Sequence, residues 1–179
     1  MANTTRRQRP QTEAAKLLRK IGFEKAPIPV EKIAKYIGAV IRFSPLDDEI
    51  SGMVYIKDGN PIIGVNSIHH PHRQRFTIAH EIAHLVLHRD LVSNHVHVDK
   101  QFAVLMRGKS ASMGTDIVEI EANKFAAELL MPTNLVTSAL GGRTFDVDDD
   151  LLLQKLASQF GVSKQAMGHR VNALLEPLG

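Results

Sequence analysis

The sequence predicts an α+β fold with a small antiparallel-containing sheet, a buried helix carrying His80-Glu81-x-x-His84, and a C-terminal segment of helix-turn-helix type. Three observations lead there. Short β-branched runs flank an Asp-Gly turn between residues 52 and 65. The period then changes to a helical one, from about Arg73 to His88 and again from Ile117 to Met131. Last, DDDLLLQKLASQFGVSKQAMGHRVNALL reads as two helices joined at Gly161-Val162-Ser163. The expected organisation is a disordered basic tail over 1–11, a main domain over 12–143, and a helix-turn-helix-like segment over 144–179 packed on it.

Taken in order, residues 1–10 are polar, basic and end in Pro, which suits a tail. Thr12 to Ile21 repeats Ala and Leu at helical spacing and stops at Gly22. Pro29 to Ile37 forms a second short helix, with Ile33 and Ile37 on one side and Gly38 after it. AVIRF (39–43), GMVYI (52–56) and PIIGV (61–65) are three strands, the last two joined by KDGN. Residues 89–115 lack a period and predict a long loop with at most one short helical piece. Pro132 to Leu140 is a further short helix, closed by Gly141-Gly142. In the final pair of helices the first buries Leu152, Leu156 and Phe160, and Ser163 is placed to cap the second. That pair is either a DNA reader or a bihelical packing unit. Lys164, His169 and Arg170 are the basic residues on its second helix, few for a reading surface.

The composition removes several classes. With 44% hydrophobic residues the chain has material for a core, mostly aliphatic because aromatics are sparse and Trp is absent. No window approaches the roughly 18 to 20 uninterrupted apolar residues of a membrane span. MANTTRRQRP has no apolar signal core after its arginines, so a cytoplasmic protein is expected. Without cysteine there is neither a disulfide nor a thiolate metal site, and any metal must be held by His and carboxylate. The net charge of +3 is mild and concentrated in Arg6, Arg7, Arg9, Lys16, Arg19 and Lys20. This is either a nucleic-acid contact or a solvated basic tail.

RFTIAHEIAHLVLH (75–88) carries the chemistry. In a helix, His80 and His84 lie one turn apart on the same face, so both imidazoles can meet one ion. Glu81 projects to the side, where the water to be activated would lie. Zinc suits imidazole and acidifies water, and a neighbouring carboxylate can move the proton to a leaving amine. A chance match on an exposed helix would need a polar face, and Phe76, Ile78, Ala79, Ile82, Ala83, Leu85, Val86 and Leu87 leave almost none. A buried His pair with a glutamate requires compensation, which a dication supplies. His88, one step further and a turn from the metal, reads either as a residue that supports the ligands or as a helix-terminal one. His69, His70 and His72 precede the helix in a loop, with one of them a candidate oxyanion donor.

A catalytic zinc needs a third protein ligand, and DIVEIEANKFAAELLMP (116–132) offers Glu119 and Glu121. Ala122, Phe125, Ala126, Leu129 and Leu130 form the inward face; Glu119 extends it and Glu121 lies at its margin. Asn123 favours Glu119, because it stands one turn above that residue and can accept the second N–H of a ligating histidine. Two solvated acids on an ordinary helix is the alternative.

RFTIAHEIAHLVLH followed by EIEANKFAAELLMP resembles the ImmA/IrrE family of metallopeptidases, and the tail LASQFGVSKQAMGHRVNAL is similar to that family's C-terminal segment. The likeness spans roughly residues 12 to 175. It implies a zincin-like fold, zinc on His80, His84 and Glu119, Glu81 as general base, and cleavage of a helix-turn-helix repressor that governs a stress, mobile-element or defence operon, often after DNA damage. Because no repressor-type DNA-binding domain precedes the peptidase, the repressor is expected to be a separate polypeptide. The leading expectation is therefore a zinc endopeptidase, with an extended substrate added to a strand edge beside the zinc helix. The alternative is a non-proteolytic regulator that binds a repressor or DNA around a structural zinc. A third reading makes single-stranded DNA or another nucleic acid an activator of the peptidase.

Overall fold

The computed structural model describes residues 2–94, 96–100, 113–141 and 149–175. Helix α1 (Ala2–Ile21) leads to the short α2 (Val30–Tyr36) and strand β1 (Val40–Ser44). Strands β2 (Ile50–Lys57) and β3 (Asn60–Asn66) follow. Then come α3 (Pro71–Leu87), α4 (Arg89–Asn94) and strand β4 (His97–Lys100). Helices α5 (Met113–Leu130), α6 (Thr133–Leu140), α7 (Asp150–Phe160) and α8 (Lys164–Leu175) complete the described chain. The α+β class is as the sequence predicts.

The sheet has the order β1-β3-β2-β4, with β1 parallel to β3 and the other neighbours antiparallel. The β2–β3 hairpin turns at Asp58 and Gly59, whose φ angles of 50° and 78° are both left-handed, the requirement that an Asp-Gly turn meets. Cross-strand register aligns Ile41, Ile63, Val54 and His97 in one row. Val54 and Ile63 are fully buried, so this row faces the helical layer. Helix α3 packs on β2 and β3 and, on its other side, against α5, while α1 covers α5. That double packing is why α3 is apolar nearly all round: Thr77 to Leu85 are all buried.

Three expectations change. The basic tail is not disordered over its whole length: Ala2 to Gln11 continue the helix that the sequence pattern starts at Thr12. Pro10, Ala14 and Leu18 form its buried stripe at four-residue spacing, so packing anchors the helix as far as Pro10. The stretch expected as a long loop with at most one short helical piece holds that piece, α4, but also a fourth strand, β4, and α5 begins at Met113 rather than Ile117. Residues 101–112 and the expected boundary at 143–144 lie outside the described residues.

The C-terminal pair forms as expected. Asp149 accepts a hydrogen bond from the Leu152 amide at 3.0 Å and Ser163 accepts one from Ala166 at 3.1 Å, capping α7 and α8. Leu153, Leu156 and Phe160 are its buried apolar anchors, with Leu152 only partly covered. Of the basic residues of α8, Arg170 is turned inward. Arg170 pairs with Glu128 and donates to the Met131 carbonyl at 2.9 Å. Lys164 pairs with Asp150. From α3, Arg75 donates to the carbonyls of Gly161 (3.1 Å) and Ile28 (2.9 Å), fastening the inter-helix turn to the body. These bonds fit a packing unit better than a groove reader.

Candidate metal centre

The site forms where α3 faces α5. His80 and His84 are 1% exposed and their Nε2 atoms are 3.0 Å apart, as the one-turn spacing requires. From α5, Glu119 brings Oε2 to 3.1 Å from His80 Nε2 and Oε1 to 3.7 Å from His84 Nε2. Asn123 is one turn on, and its Oδ1 accepts the His80 Nδ1–H at 2.9 Å. That bond fixes the His80 tautomer and turns a bare Nε2 lone pair into the cluster.

Glu121 takes a different place. Its Oε2 lies 3.0 Å from Nε2 of His88, the residue that ends α3, and it ties the end of that helix to α5. Glu119 thus stands in the donor cluster and Glu121 outside it, against His88. The early histidines also have other work. His70 caps α3 by accepting the His72 amide at 3.2 Å. His69 contacts the Asp48 carbonyl at 3.3 Å and Asn66 Nδ2 at 3.5 Å. The clustered donor set includes none of the three.

A histidine that sequence reasoning passed over completes the cluster. His97 Nε2 on β4 lies 3.2 Å from Glu119 Oε1, and the His97 ring sits 4.0 Å from that of His84, centroid to centroid. One ligand atom from each of His80, His84, His97 and Glu119 falls within 4.8 Å of all the others. A signal existed in HVHVDK (95–100), where Val96 and Val98 alternate with His95 and His97, but the run is too short to stand out from an aperiodic stretch.

These donors fit a metal cation. His80 Nε2, with its partner nitrogen carrying the proton, faces a carboxylate oxygen at 3.1 Å; two electron-rich atoms at that distance need a positive centre between them. His97 Nε2 and Glu119 Oε1 are buried and 3.2 Å apart without the alignment of a hydrogen bond. Extra protons are a poor substitute. Burial first, and then the nearby His80 and His97, hold the His84 pKa well below the ordinary histidine value. Burial pushes Glu119 up, yet its close contacts with His80 and His97 outweigh this and leave its pKa lowered. The carboxylate therefore stays ionised. Imidazole and carboxylate without thiolate is a set that zinc accepts.

Glu81 is fully buried beside His80 and stands clear of the donor set. Strand β2 passes beside it at Gly52. A Cβ built there would lie 2.4 Å from Thr77 Cγ2, 2.7 Å from the Gly64 carbonyl and 3.5 Å from Glu81 Oε1. Only glycine lets β2 run this close to the helix and the glutamate.

Two imidazoles one turn apart and a carboxylate from a crossing helix form a donor set compatible with a metal ion, with a glutamate next to the first imidazole. The sequence agrees: the model of the Peptidase M78 family, described as the IrrE N-terminal-like domain, matches residues 34–172, and the chain belongs to that family. No curated protein is matched. Among solved structures, a Mycobacterium tuberculosis transcriptional regulator shares the fold, with a TM-score of 0.63 and 22% identity. The match covers 96% of this chain and 48% of that one, so the chain spans about half the length of this relative. Among the described residues no helix is long and apolar enough to cross a membrane.

Proposed function

We propose that the protein is a zinc-dependent endopeptidase that cleaves a helix-turn-helix transcriptional repressor, and so switches on a stress, mobile-element or defence operon. The observation that carries this reading is the combination of a convergent His80, His84 and Glu119 donor set with a buried Glu81 beside it. His80, His84 and Glu119 would hold the metal, and Asn123 would keep His80 in the ligating tautomer. Zinc bound there supplies a Lewis acid that polarises the scissile carbonyl and acidifies water.

The chain's own residues then have separate tasks. Glu81 takes a proton from the attacking water as its oxygen bonds to the carbonyl carbon. The same carboxyl returns that proton to the amide nitrogen, and the C–N bond breaks with a neutral amine leaving. Strand β4 is at the edge of the sheet order and beside the site, so an extended substrate segment can pair with it. The repressor as substrate follows from the family resemblance, and nucleic acid as an activator is a separate proposal resting on the basic residues of α1.

A second reading, a non-proteolytic regulator with a structural metal, has one observation in its favour. His97 brings the donor count to four, the number in a structural zinc site. Glu81 has no task in that reading. The test is incubation of the zinc-loaded protein with the helix-turn-helix repressor encoded beside it, with and without a chelator, and mass spectrometry of the products. Discrete repressor fragments that vanish with chelator are expected; an intact repressor beside fully loaded protein would overturn the peptidase reading.

A further inference from the structure

We propose that His97 is a fourth protein ligand of the metal, so that the protein as folded here holds a closed four-donor site, and the position needed for hydrolysis opens when His97 leaves. The inference rests on the metal-dependent peptidase reading and adds to it a latent state. Three observations carry it.

The first is geometric. Four ligands on one zinc at about 2.0 to 2.1 Å form a tetrahedron whose edges are about 3.4 Å. Donor separations here are 3.0 Å for His80 Nε2–His84 Nε2, 3.1 Å for His80 Nε2–Glu119 Oε2, and 3.7 Å and 3.2 Å from Glu119 Oε1 to His84 Nε2 and His97 Nε2, with one donor atom of each of the four residues within 4.8 Å of all the others. His97 is as close to Glu119 as His80 is.

The second is register. β4 pairs with β2 so that His97 lies opposite Val54, in the row that also holds the fully buried Val54 and Ile63. The pairing, not a chance rotamer, sends the His97 side chain towards α3. The ring rests against that of His84, tilted by 40°, and Nε2 ends buried beside Glu119 Oε1 with neither atom in an aligned hydrogen bond.

The third concerns which donor can go. A catalytic zinc keeps three protein ligands and an open position, whereas four protein ligands close it. His80 and His84 sit on a helix buried on all sides, and Glu119 on a helix clamped between α1 and α3. His97 sits at the start of a four-residue edge strand whose pairing to β2 is interrupted between Ile50 and Gly52. Its neighbours Val96 and Val98 are 58% and 37% exposed. Of the four, His97 is held by the least buried structure, and a peptide pairing with β4 would act on the strand that carries it.

Cobalt(II) is the probe, because its visible absorption reports coordination number and exchangeable positions without any catalytic turnover. Metal-free full-length protein is titrated with Co2+, then with acetohydroxamate, for the wild type, His97→Ala and His97→Phe. Phe retains a ring against His84 but offers no donor. The wild type should give an intense four-coordinate spectrum that acetohydroxamate leaves unchanged. Both variants should bind Co2+ about 10- to 100-fold more weakly, at least the loss seen for residues that only support a ligand, and should shift spectrum on adding acetohydroxamate. A wild-type spectrum that shifts with acetohydroxamate, or an unchanged Co2+ Kd in His97→Phe, would overturn the fourth ligand while leaving the three-ligand peptidase intact. Failure of the wild type to bind Co2+ at all would overturn both. The wild-type measurement needs no substituted protein, so a variant that folds poorly does not blunt the test.

Discussion

Substituting Gly52 by Ala adds one methyl group where strand β2 crosses α3, and the structure says what it meets. Thr77 Cγ2 would be 2.4 Å away and the Gly64 carbonyl oxygen 2.7 Å, both inside contact distance. Neither can yield cheaply: Thr77 is 2% exposed on a buried helix, and the carbonyl belongs to the central hairpin. Overpacking of this kind costs about 1 to 3 kcal/mol. For a chain of this size each kcal/mol moves Tm by about 2 to 4 °C, so Gly52→Ala should melt roughly 2 to 12 °C lower. Denaturant unfolding with an unchanged m-value is the assay, since a lower midpoint at equal m reports stability alone. Thr77→Ser removes the nearer clashing carbon and keeps the hydroxyl. In the double variant part of the loss should return, a coupling of at least about 0.5 kcal/mol between contacting sites. A Gly52→Ala protein as stable as the wild type would refute the packing of β2 against α3 and, with it, the placement of Glu81 beside that strand.

Two other outcomes follow from the site. Glu119→Gln should weaken zinc by more than about 10- to 100-fold, the cost of losing even an indirect neighbour, whereas Glu121→Gln should leave zinc affinity near wild type because that carboxylate serves His88; competition with a metal indicator decides, and the reverse order would contradict the assignment. Acidification should destabilise the chelator-treated protein. The His84 pKa is lowered in the fold, so the unfolded chain binds more protons there and stability falls once the pH drops below the ordinary histidine value of 6.5. Glu119, also lowered, adds a second loss of the same sign below the carboxylate reference of 4.5. Denaturant midpoints from pH 8 to pH 4 should be flat and then fall; a midpoint that rises between pH 6.5 and pH 5 would be incompatible with these burials.

What could be read from the sequence were the elements whose signal is local. The Asp58-Gly59 turn, the His80-Glu81-x-x-His84 pattern and the apolar face of Ala122, Phe125, Ala126, Leu129 and Leu130 each lie within a few turns of chain, and the structure shows all three. The glutamate choice depended on Asn123, also local, and on His88, whose pairing with Glu121 spans 33 residues and is tertiary. His97 was missed because β4 is a four-residue strand formed by pairing with β2, in a stretch without period. Arg170 looked like a surface cation on a candidate recognition helix; its tie to Glu128, 42 residues away, cannot be read from spacing. The burial of Pro10 in line with Ala14 and Leu18 is likewise tertiary, set by the packing of α1 on α5.

The central claim is that Glu81 is there for proton transfer, and one substitution isolates it. Glu81→Gln keeps size and shape at a fully buried position and leaves His80, His84 and Glu119 in place. The measurement is the single-turnover rate of repressor cleavage by zinc-loaded wild type and Glu81→Gln at equal, independently assayed metal content. The account predicts unchanged zinc and repressor binding with a rate lower by about 100- to 10,000-fold, the worth of general acid–base catalysis. Cleavage by Glu81→Gln at the wild-type rate, with zinc in the site, would contradict it.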